Sequence, residues 1–593
     1  MSRNGSKYDD ISKSISIPTG CAIDAKGYVY ANTSTTYNAA TKATSHGKQL
    51  IGRAYFLDKD GNVLHGNEDL NGNRPTEMVP GKAYYLLYKL EELPDPPRMP
   101  TTVYIGLRSV VDKMSDEYEL ISTLTKAFTL EETSLILDLA CYMLCEESAV
   151  FQHFPNWTRK RLLYSSTVRS DSYISEFLKK NLTVSKINLF KQLWATKHIG
   201  AGYVYLCYDS TNVNSQARGV FIVQDGHAKD DPSLPQVNTD YVIRQEDGLP
   251  LTFTTFPGSV VDIAEAKDMI KFIAPYANGK DIHITLICDR GYISEPNIHD
   301  MDEAGIGFLM MLRSDMTDSV NLINKYAKKI RERYEYRINE FDCYGMTVTG
   351  KLFGIGKTRY FHIIWDPTLS RKEETKLLSQ IENTSKQLDK DIERKTRYTE
   401  DELERKFGFF DVTTEASGTL KVKSRGRCSK LKDEPAFVIT GYQKNYKRID
   451  KAIFECGFFV LVMSQKTTAL EARIAYSKRD CVEKCFEALK SHLGMDKIGV
   501  ASEESMHGKA LIWFVASIIH AVFFNHLAPL TIKDKKHFTV PSAIDLVDSI
   551  YCDKNLLTER YERRYGLTRL QRMVFNQMSI SDSDLNELLA VIS

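Results

Sequence analysis

From residue 201 onward, short apolar strands alternate with amphipathic helical segments. The strand-like runs GYVYLCYDSTNV and QVNTDYVIRQEDGLPLTFTTFPG come first, and the second divides at Asp247-Gly248 into two strands. They are followed by the helical run VVDIAEAKDMIKFIAPYA, the strand DIHITLICDRGY, a short helix and the strand IGFLMMLRSD. The order of three strands, helix, strand, helix and strand predicts an α/β domain with a mixed sheet.

Two aspartates stand at the carboxyl ends of apolar strands in this region. The first strand is predicted to end in Asp209, and the strand DIHITLIC is followed directly by Asp289. Ligands of α/β sheets usually bind at this edge, so the two carboxylates converge there if their strands are neighbours. The alternative interpretation of each aspartate is a turn former or a helix cap.

The segment YSKRDCVEKCFEALK, residues 476–490, has the periodicity of a helix. At 3.6 residues per turn, Tyr476, Arg479, Glu483 and Lys490 project from one stripe about 60° wide. The stripe borders the apolar face, which comprises Cys481, Val482, Cys485, Phe486 and Leu489. Residues in this position are expected to line a cleft. The alternative is an ordinary amphipathic helix with i,i+4 charge pairs.

Glu483 adds a third carboxylate to those of Asp209 and Asp289. Three carboxylates without His or Cys form a hard, oxygen-only donor set, which suits Mg²⁺ or Mn²⁺ with substrate phosphates completing the coordination. Two such ions can activate a water and stabilise the leaving oxygen in phosphodiester cleavage. No set of Cys and His residues in the sequence has the spacing of a zinc finger.

Several motifs together carry a resemblance to a known family. YDSTN, DGLPLTFTTFPGSVVD, CDRGY and a helix with the spacing Tyr-x2-Arg-x3-Glu-x6-Lys occur in this order, and GHAKDDPSLPQV precedes the second motif. Together they resemble a DDE-type bacterial insertion-sequence transposase of the family with the Y-R-E-K signature. The similarity extends over about residues 200 to 530. The long interval between Asp289 and Glu483 resembles the subgroup with a long insertion before the catalytic glutamate.

The resemblance implies an α/β fold whose ribonuclease-H-like mixed-sheet catalytic core is interrupted by a β-rich insertion. N-terminal β and helical regions and a helical C-terminus would flank this core. Carried over residue by residue, Asp209, Asp289 and Glu483 would be the catalytic residues and the metal ligands. They would bind two Mg²⁺ ions, for which Mn²⁺ would substitute.

The resemblance also implies contacts with DNA. Tyr476, Arg479 and Lys490 would contact phosphates near the cleaved transposon end, with Arg479 suited to bidentate contact. Arg290, beside the second aspartate, would contact phosphate or form a salt bridge within the core. Family members commonly excise their element through a hairpin, helped by an aromatic residue that holds a flipped base. Trp365 is a candidate for that residue, and a core tryptophan is the alternative.

The expected activity is cleavage of double-stranded DNA at the ends of the protein's own mobile element, followed by joining of the 3′-hydroxyl ends to target DNA. Working oligomers of this class are dimers on paired ends, so we expect a homodimer. One alternative is a ribonuclease-H-like nuclease that cleaves without joining. The other is a non-catalytic DNA-binding protein derived from a transposase.

Changes in composition and in hydrophobic periodicity along the chain predict six regions. They are an N-terminal β-rich region, the candidate for binding DNA ends (1–95), a helical region (96–200), the first part of the core (201–315), a basic insertion (316–470), the second part of the core with the helix of the catalytic Glu (471–530) and a C-terminal helical region, the candidate for dimerisation (531–593). The formal net charge of the chain is only +1, but residues 316–470 contain 30 Lys and Arg against 22 Asp and Glu. The basic segments 325–337, 421–432 and 444–451 would follow a DNA backbone, or be ordinary solvated faces.

Location is predicted from the apolar segments and the cysteines. The N-terminal 20 residues lack the apolar run of a signal peptide, and ALIWFVASIIHAVFF, residues 510–524, is short for a membrane span and reads as a buried helix. The eleven cysteines include no CxxC pair, which is typical of buried thiols in a reducing compartment. With the resemblance, this predicts a cytoplasmic bacterial protein that acts on the chromosome and does not bind a membrane.

Overall fold

The chain divides into two compact units, Met1–Pro100 and Thr101–Ser593. The computed structural model describes residues 11, 14–38, 43–58, 61–69, 72–81, 84, 102–217, 219–226, 231, 233–260, 262–277, 282–423, 431–533, 538–555 and 560–592. The proline-rich segment 93–100, whose composition is typical of a linker, lies outside the described residues, as does most of the basic segment 421–432.

The described part of the first unit is built from strands. These are β1 Ile15–Ser16, β2 Ala22–Ile23, β3 Tyr28–Asn38, β4 Ala43–Ala54, β5 Phe56–Leu57, β6 Val63–Leu64 and β7 Glu77–Pro80. Five of them form an antiparallel sheet in the order β1-β7-β4-β3-β2, and β5 pairs with β6. Val29, Ile51 and Met78 are completely buried and form its small core with Ala31 and Ala54.

The second unit contains fifteen described strands. They are β8 Thr102–Tyr104, β9 Gly202–Asn214, β10 Gln236–Arg244, β11 Pro250–Pro257, β12 Ile282–Cys288, β13 Gly307–Met311, β14 Arg337–Ile338, β15 Cys343–Lys351, β16 Thr358–Trp365, β17 Arg397–Tyr398, β18 Phe410–Lys423, β19 Leu431–Lys444, β20 Phe458–Met463, β21 Tyr551–Lys554 and β22 Tyr561–Glu562.

Eighteen described α-helices complete this unit. They are α1 Gly106–Tyr118, α2 Leu120–Ala127, α3 Leu130–Glu146, α4 Phe154–Trp157, α5 Asp171–Lys180, α6 Val184–His198, α7 Asp262–Ala277, α8 Glu295–Glu303, α9 Thr317–Glu332, α10 Pro367–Arg394, α11 Glu400–Lys406, α12 Tyr446–Glu455, α13 Ala469–Ser477, α14 Asp480–His492, α15 Glu503–Lys533, α16 Val540–Asp548, α17 Arg569–Gln577 and α18 Asp582–Ile592.

A nine-stranded mixed sheet forms the centre of the second unit, in the order β11-β10-β9-β12-β13-β20-β16-β15-β14. The strands β9, β10 and β11 are antiparallel neighbours, whereas β12 runs parallel to β9 and β13 parallel to β12. The element order from β9 to β13, with α7 before β12 and α8 before β13, is the order predicted from the sequence. The turn at Asp247-Gly248 is also present, and Gly248 adopts a positive φ of 69° there.

The sheet continues into the region predicted to be an insertion. Strand β20 pairs antiparallel with both β13 and β16, and β15 and β14 extend the sheet further. Only residues 367–455 form a separate lobe, in which the β18–β19 hairpin packs with helices around Ile381, Leu388, Phe410 and Ile439. Strand pairing between residues about 150 positions apart leaves no local signal, which explains why the sequence assigned β20 to the insertion.

Helix α15 is the core helix of this unit. Its section Glu503–Leu530 is long and apolar enough to cross a membrane, but 72% of its most apolar window is buried inside the protein. Leu511, Trp513 and Phe514 are completely buried, as predicted for the run ALIWFVASIIHAVFF. The C-terminal region is helical apart from β21 and β22, which pair into a three-stranded sheet with β8. The ten described cysteines are free thiols.

Candidate active site

The register of β9 and β12 places two aspartates side by side. Cys288, the last residue of β12, pairs with Tyr208 of β9, so Asp289 and Asp209 come next on the two parallel strands. The prediction that the first strand ends in Asp209 is wrong, because β9 continues to Asn214 by pairing with β10. Asp209 instead marks the point where pairing with β12 stops, and a side chain there gains space beside the sheet.

The helix predicted over 476–490 is interrupted. Tyr476 lies in α13, Arg479 lies in a turn, and Glu483 and Lys490 lie in α14. Within the turn, the Arg479 N–H donates to the Tyr476 carbonyl at 3.1 Å and the Val482 N–H to the Arg479 carbonyl at 3.0 Å. Such i→i+3 bonds turn the chain about 120° per residue rather than 100°. The prediction of one continuous stripe is therefore wrong.

Arg479 joins two of the three predicted acids. Its Nη1 lies 3.1 Å from Asp209 Oδ2, and its Nη2 donates to Glu483 Oε1. The Arg479 side chain is only 15% exposed, whereas that of Glu483 is 56% exposed. Burial lowers the pKa of Arg479, but the neighbouring Tyr476, Asp209, Asp289 and Glu483 together raise it above its ordinary value. The guanidinium is therefore a permanent cation among carboxylates.

These residues line one pocket of about 450 Å³. Its lining comprises Asp209, Ser210, Thr211, Asp289, Gly291, Tyr292, Arg479, Glu483 and Phe486. The structure thus brings the three predicted acids and Arg479 together. Thr211 and Phe486 also line the pocket but were not predicted as site residues. Their spacing could have indicated them: Thr211 is two residues after Asp209 on the same strand face, and Phe486 is three residues after Glu483 on the same helix face. The Ser210 N–H donates to Asp209 Oδ1 at 2.8 Å and orients that carboxylate.

The other predicted site residues lie around this pocket. Tyr476 is buried beneath Arg479, whose guanidinium carbon is 5.9 Å from the ring centroid, and burial raises the pKa of the phenol to about 12. Lys490 is half-buried on α14, about two turns beyond Glu483. Arg290 is exposed in the turn after Asp289.

The donor set of the pocket fits a hard divalent cation. Three carboxylates face one cavity that Arg479 neutralises only in part, so the site retains a formal excess of negative charge. Among the described residues, the ligand atoms of the three acids do not all lie within 4.8 Å of one another, whereas those of His299, Asp300 and Glu303 do. That group lies on α8, where His299 and Glu303 are exposed and Asp300 is half-buried, and none of its residues lines the pocket.

Trp365 lies at the end of β16 and not beside the pocket. Its Nε1 donates to the Cys456 carbonyl at 3.2 Å, and its ring centroid is 5.6 Å from that of Tyr344. The Arg331 guanidinium lies 4.6 Å above the ring. These contacts favour the interpretation of Trp365 as a packing residue.

A buried polar group supports β9 from its other face. The Tyr208 hydroxyl donates to Asp240 Oδ2 of β10 at 2.9 Å, and Asp240 is 1% exposed. Burial raises the pKa of the Asp240 carboxyl to about 7. Burial also lowers the pKa of Lys191, on α6, to about 8, and the charge of Asp240 opposes that shift.

Comparison with known families decides the class of the protein. Residues 200–519, more than half of the chain, match the family model described as the transposase DDE domain. The chain belongs to the DDE transposases. This membership confirms the predicted class of enzyme, a nuclease of the transposase type, and DDE transposases generally use divalent metal ions.

The comparison with solved structures gives a more distant similarity. A cryo-EM structure of a piggyBac transposase synaptic complex with hairpin DNA aligns with 83% of this DDE transposase and 84% of that chain. The sequence identity is 10% and the TM-score is 0.34. No curated protein matches the sequence.

Proposed function

We propose that this DDE transposase cleaves the ends of its own bacterial insertion sequence and joins them to target DNA. We assign it to the family with the Y-R-E-K signature. We regard β9–β13 as a ribonuclease-H-like core, with the lobe 367–455 as part of a long insertion. The observation that carries the proposal is the convergence of Asp209, Asp289 and Glu483 on one pocket where pairing between β9 and β12 ends.

In this proposal, Asp209, Asp289 and Glu483 hold two Mg²⁺ ions, with Mn²⁺ as a substitute. Bound there, the ions supply the positive charge that activates the attacking oxygen and stabilises the leaving oxygen. The two aspartates are fixed by the register of their strands, whereas Glu483 is half exposed on a helix. The protein therefore offers two rigid ligands and one adjustable ligand.

The basic residues are proposed to position the DNA strand. Arg479 would exchange its carboxylate partners for a phosphate of the transposon end, since its planar fork suits both. Tyr476 supports Arg479 from below and stays protonated at physiological pH, because burial raises its pKa to about 12. Lys490 and Arg290 would contact phosphates to either side of the pocket.

The remaining assignments concern the assembly. We propose that the protein works as a homodimer on paired ends in the bacterial cytoplasm, with residues 531–593 contributing to dimerisation. Residues 1–95 are proposed to bind the DNA end. The basic surfaces of α9 and α12 would follow the DNA backbone.

The test is a cleavage and joining assay with duplexes that carry the inverted repeats flanking the gene. Wild type is compared with Asp289→Asn and Glu483→Gln in Mg²⁺ or Mn²⁺. Asp480→Asn is the matched control, because Asp480 lies on the same helix and pairs with Lys484 outside the pocket. We expect end cleavage to fall at least about 100-fold in both triad variants, the scale on which one charge-stabilising group acts, but not in the control.

The products separate the alternatives. Joined products that require a 3′-hydroxyl on the donor end support a transposase. Cleavage without joining would indicate a nuclease. Salt-sensitive binding without cleavage, equal in all four proteins, would indicate a DNA-binding protein and overturn the catalytic assignment.

A further inference from the structure

Arg473 of α13 is a cation that no carboxylate of the described residues neutralises. Its guanidinium carbon lies 4.7 Å from the ring centroid of Phe341 and 5.5 Å from that of Phe459. Its Nε is buried without a hydrogen-bond partner, and no hydrogen bond or ion pair joins Arg473 to another described residue. Stacking on two rings orients a guanidinium and leaves the donors at its Nη end available. Arg473 is therefore a fixed cation with unused donors.

The stacking also shows on which face of the sheet Arg473 lies. By the pairing of β12, β13 and β20, Asp289 is level with Met311 and with Leu461. Phe459 is two residues from Leu461 on β20, in the direction in which β12 ends, so it points to the same face as Asp289. Arg473 packs on Phe459 and therefore lies on the face of the sheet that carries the acids, close to the same edge.

The surface between the acids and Arg473 is open along this edge. Arg290 and Arg313, which follow β12 and β13, are exposed, and the exposed Asp315 is paired with Arg313 at 3.4 Å. Two strand spacings of about 4.8 Å and two residues of about 3.4 Å each place Phe459 about 12 Å from Asp289. Successive phosphates of one DNA strand advance about 3.4 Å along the duplex axis, so this distance corresponds to about three or four base steps.

Helix α13 links Arg473 to the predicted site residues. Arg473 precedes Tyr476 by three residues, and side chains at this spacing are neighbours on a helix. Tyr476 in turn lies beneath Arg479, which bonds to Asp209. The short segment 473–479 therefore carries two arginines, one at the acids and one further along the edge of the sheet.

We propose that Arg473 binds a backbone phosphate of the transposon-end DNA, on the β20 side of the three acids. The fork of its guanidinium suits bidentate contact with phosphate oxygens. Phosphate contacts set the register of a protein on DNA, so two arginines at a fixed spacing would position the strand relative to the acids. The proposal rests on the proposed function for the identity of the DNA and goes beyond it, since Arg473 lies outside the Y-R-E-K signature.

The first measurement is the salt dependence of the affinity for the end duplex, in EDTA so that no strand is cleaved. Each phosphate contact contributes about 0.9 to the slope of log K against log salt, so between about 50 and 200 mM salt wild type should lose about threefold more affinity than Arg473→Gln. Arg473→Lys keeps the charge and should keep the slope. Lys478→Gln is the matched control and should also keep it, because Lys478 is an exposed cation of the same segment that lines a different cavity from the acids.

The second measurement locates the phosphate. Single phosphates of the end duplex are replaced by uncharged methylphosphonates, one at a time on either side of the cleavage point. At one position, about three or four steps from that point, we expect the replacement to weaken wild type about tenfold, the scale of one hydrogen bond between charged groups. The same replacement should leave the affinity of Arg473→Gln unchanged, because the contact is already lost. Lys478→Gln should lose as much affinity as wild type.

The proposal is overturned if Arg473→Gln folds and keeps the wild-type salt slope, or if every methylphosphonate weakens wild type and Arg473→Gln equally. If Arg473→Gln does not fold, Arg473→Lys replaces it in the second measurement. A lysine does not contact a phosphate bidentately, so the loss at the critical position should shrink, and losses equal to those of wild type overturn the proposal.

These results are distinct from failure of the proposed function, because neither measurement requires cleavage. A protein in which Arg473 and one phosphate are coupled but which never cleaves DNA retains this contact. A protein that cleaves the transposon end without such coupling does not.

Discussion

The guanidinium of Arg479 is the cation that the carboxylates of the pocket hold in this structure. It bonds to Asp209 and Glu483, one from the sheet and one from helix α14, and so links the two elements that carry the site. A divalent cation that binds the same carboxylates has to compete with it. We therefore propose two roles for Arg479, as a counter-ion before DNA binds and as a phosphate ligand afterwards.

Replacing Arg479 with Gln should tighten metal binding in the absence of DNA. We expect the Kd for Mn²⁺, measured by calorimetry, to fall about tenfold, equivalent to about one charge-assisted hydrogen bond. Lys484→Gln is the control, because it removes a cation from the same helix whose partner, Asp480, lies outside the pocket. Weaker Mn²⁺ binding by Arg479→Gln than by wild type would contradict the counter-ion role.

Asp240 should make stability depend on pH. Its pKa in the folded protein is about 7 because it is buried, against about 3.9 in an unfolded chain. The folded state therefore retains a proton that the unfolded state has lost, and stability falls as pH rises from about 4 to about 7, by at most about 4 kcal/mol. Asp240→Asn should remove this decline, because its amide oxygen can still accept the Tyr208 hydroxyl.

The measurement is urea unfolding of both proteins at about pH 5 and about pH 8. Other buried acids also contribute, among them Asp138, whose pKa burial raises to about 6, so the informative quantity is the difference between wild type and variant. Equal declines in the two proteins would show that Asp240 is not the source.

The elements of the core were largely predictable, and their junctions were not. The order from β9 to β13 follows from period-two and period-3.6 patterns, and the capping box that Thr129 and Glu132 form is a motif of the sequence. The break between α13 and α14 was not predicted, because no proline or glycine lies there. The i→i+3 hydrogen bonds of the turn are also compatible with the spacing of apolar residues that predicted one helix. The ion pairs of Arg479 depend on that turn, so they could not be predicted from the sequence either.

Gly457 lies at the junction between the lobe and the sheet, where the backbone requires a glycine. Its φ is +83°, and a Cβ there would lie 2.6 Å from the Asp366 carbonyl oxygen. We expect Gly457→Ala to lower the free energy of unfolding by about 2–4 kcal/mol, from backbone strain and overpacking together. Gly418→Ala separates the cost of backbone strain from that of overpacking. Gly418 has a φ of +80°, but no atom lies within 4 Å of the position that its Cβ would take.

Urea unfolding of both variants provides the measurement. Gly418→Ala should cost about 1–2 kcal/mol, the strain alone. If Gly457→Ala costs no more than Gly418→Ala, the close approach at the junction does not constrain the fold.

The second unit contains a continuous nine-stranded sheet with a lobe set into it. Trp365 and Phe458, which flank the lobe, are paired residues on neighbouring antiparallel strands. The lobe has its own core around Ile381 and Phe410. The chain therefore leaves the sheet and returns to it at almost the same place, which is the geometry in which a segment can be removed.

Replacing residues 366–457 with a two-residue Asn-Gly turn should leave the rest of the protein folded. Type I′ turns of this sequence join antiparallel neighbours such as β16 and β20. The contacts of Trp365 with Cys456 and of Arg331 with Phe454 are lost, so the Tm should fall. Mn²⁺ affinity should remain within about twofold of wild type, because the three acids lie outside the lobe.

Circular dichroism and Mn²⁺ calorimetry check this prediction. A shortened protein that unfolds, or that folds and loses Mn²⁺ binding, would contradict the description of the lobe as a separate structural part. A smaller salt slope for DNA binding in the shortened protein would assign part of the DNA contact to the lobe.

We propose that Asp209, Asp289 and Glu483 bind divalent metal together. The most direct measurement is cleavage of the polypeptide by Fe²⁺ with ascorbate and peroxide, because bound iron cuts the backbone nearest to it. We predict cuts near residues 209, 289 and 483 that excess Mg²⁺ suppresses and that Asp289→Asn weakens. Cuts confined to residues 299–303, or cleavage that Asp289→Asn leaves unchanged, would contradict the account.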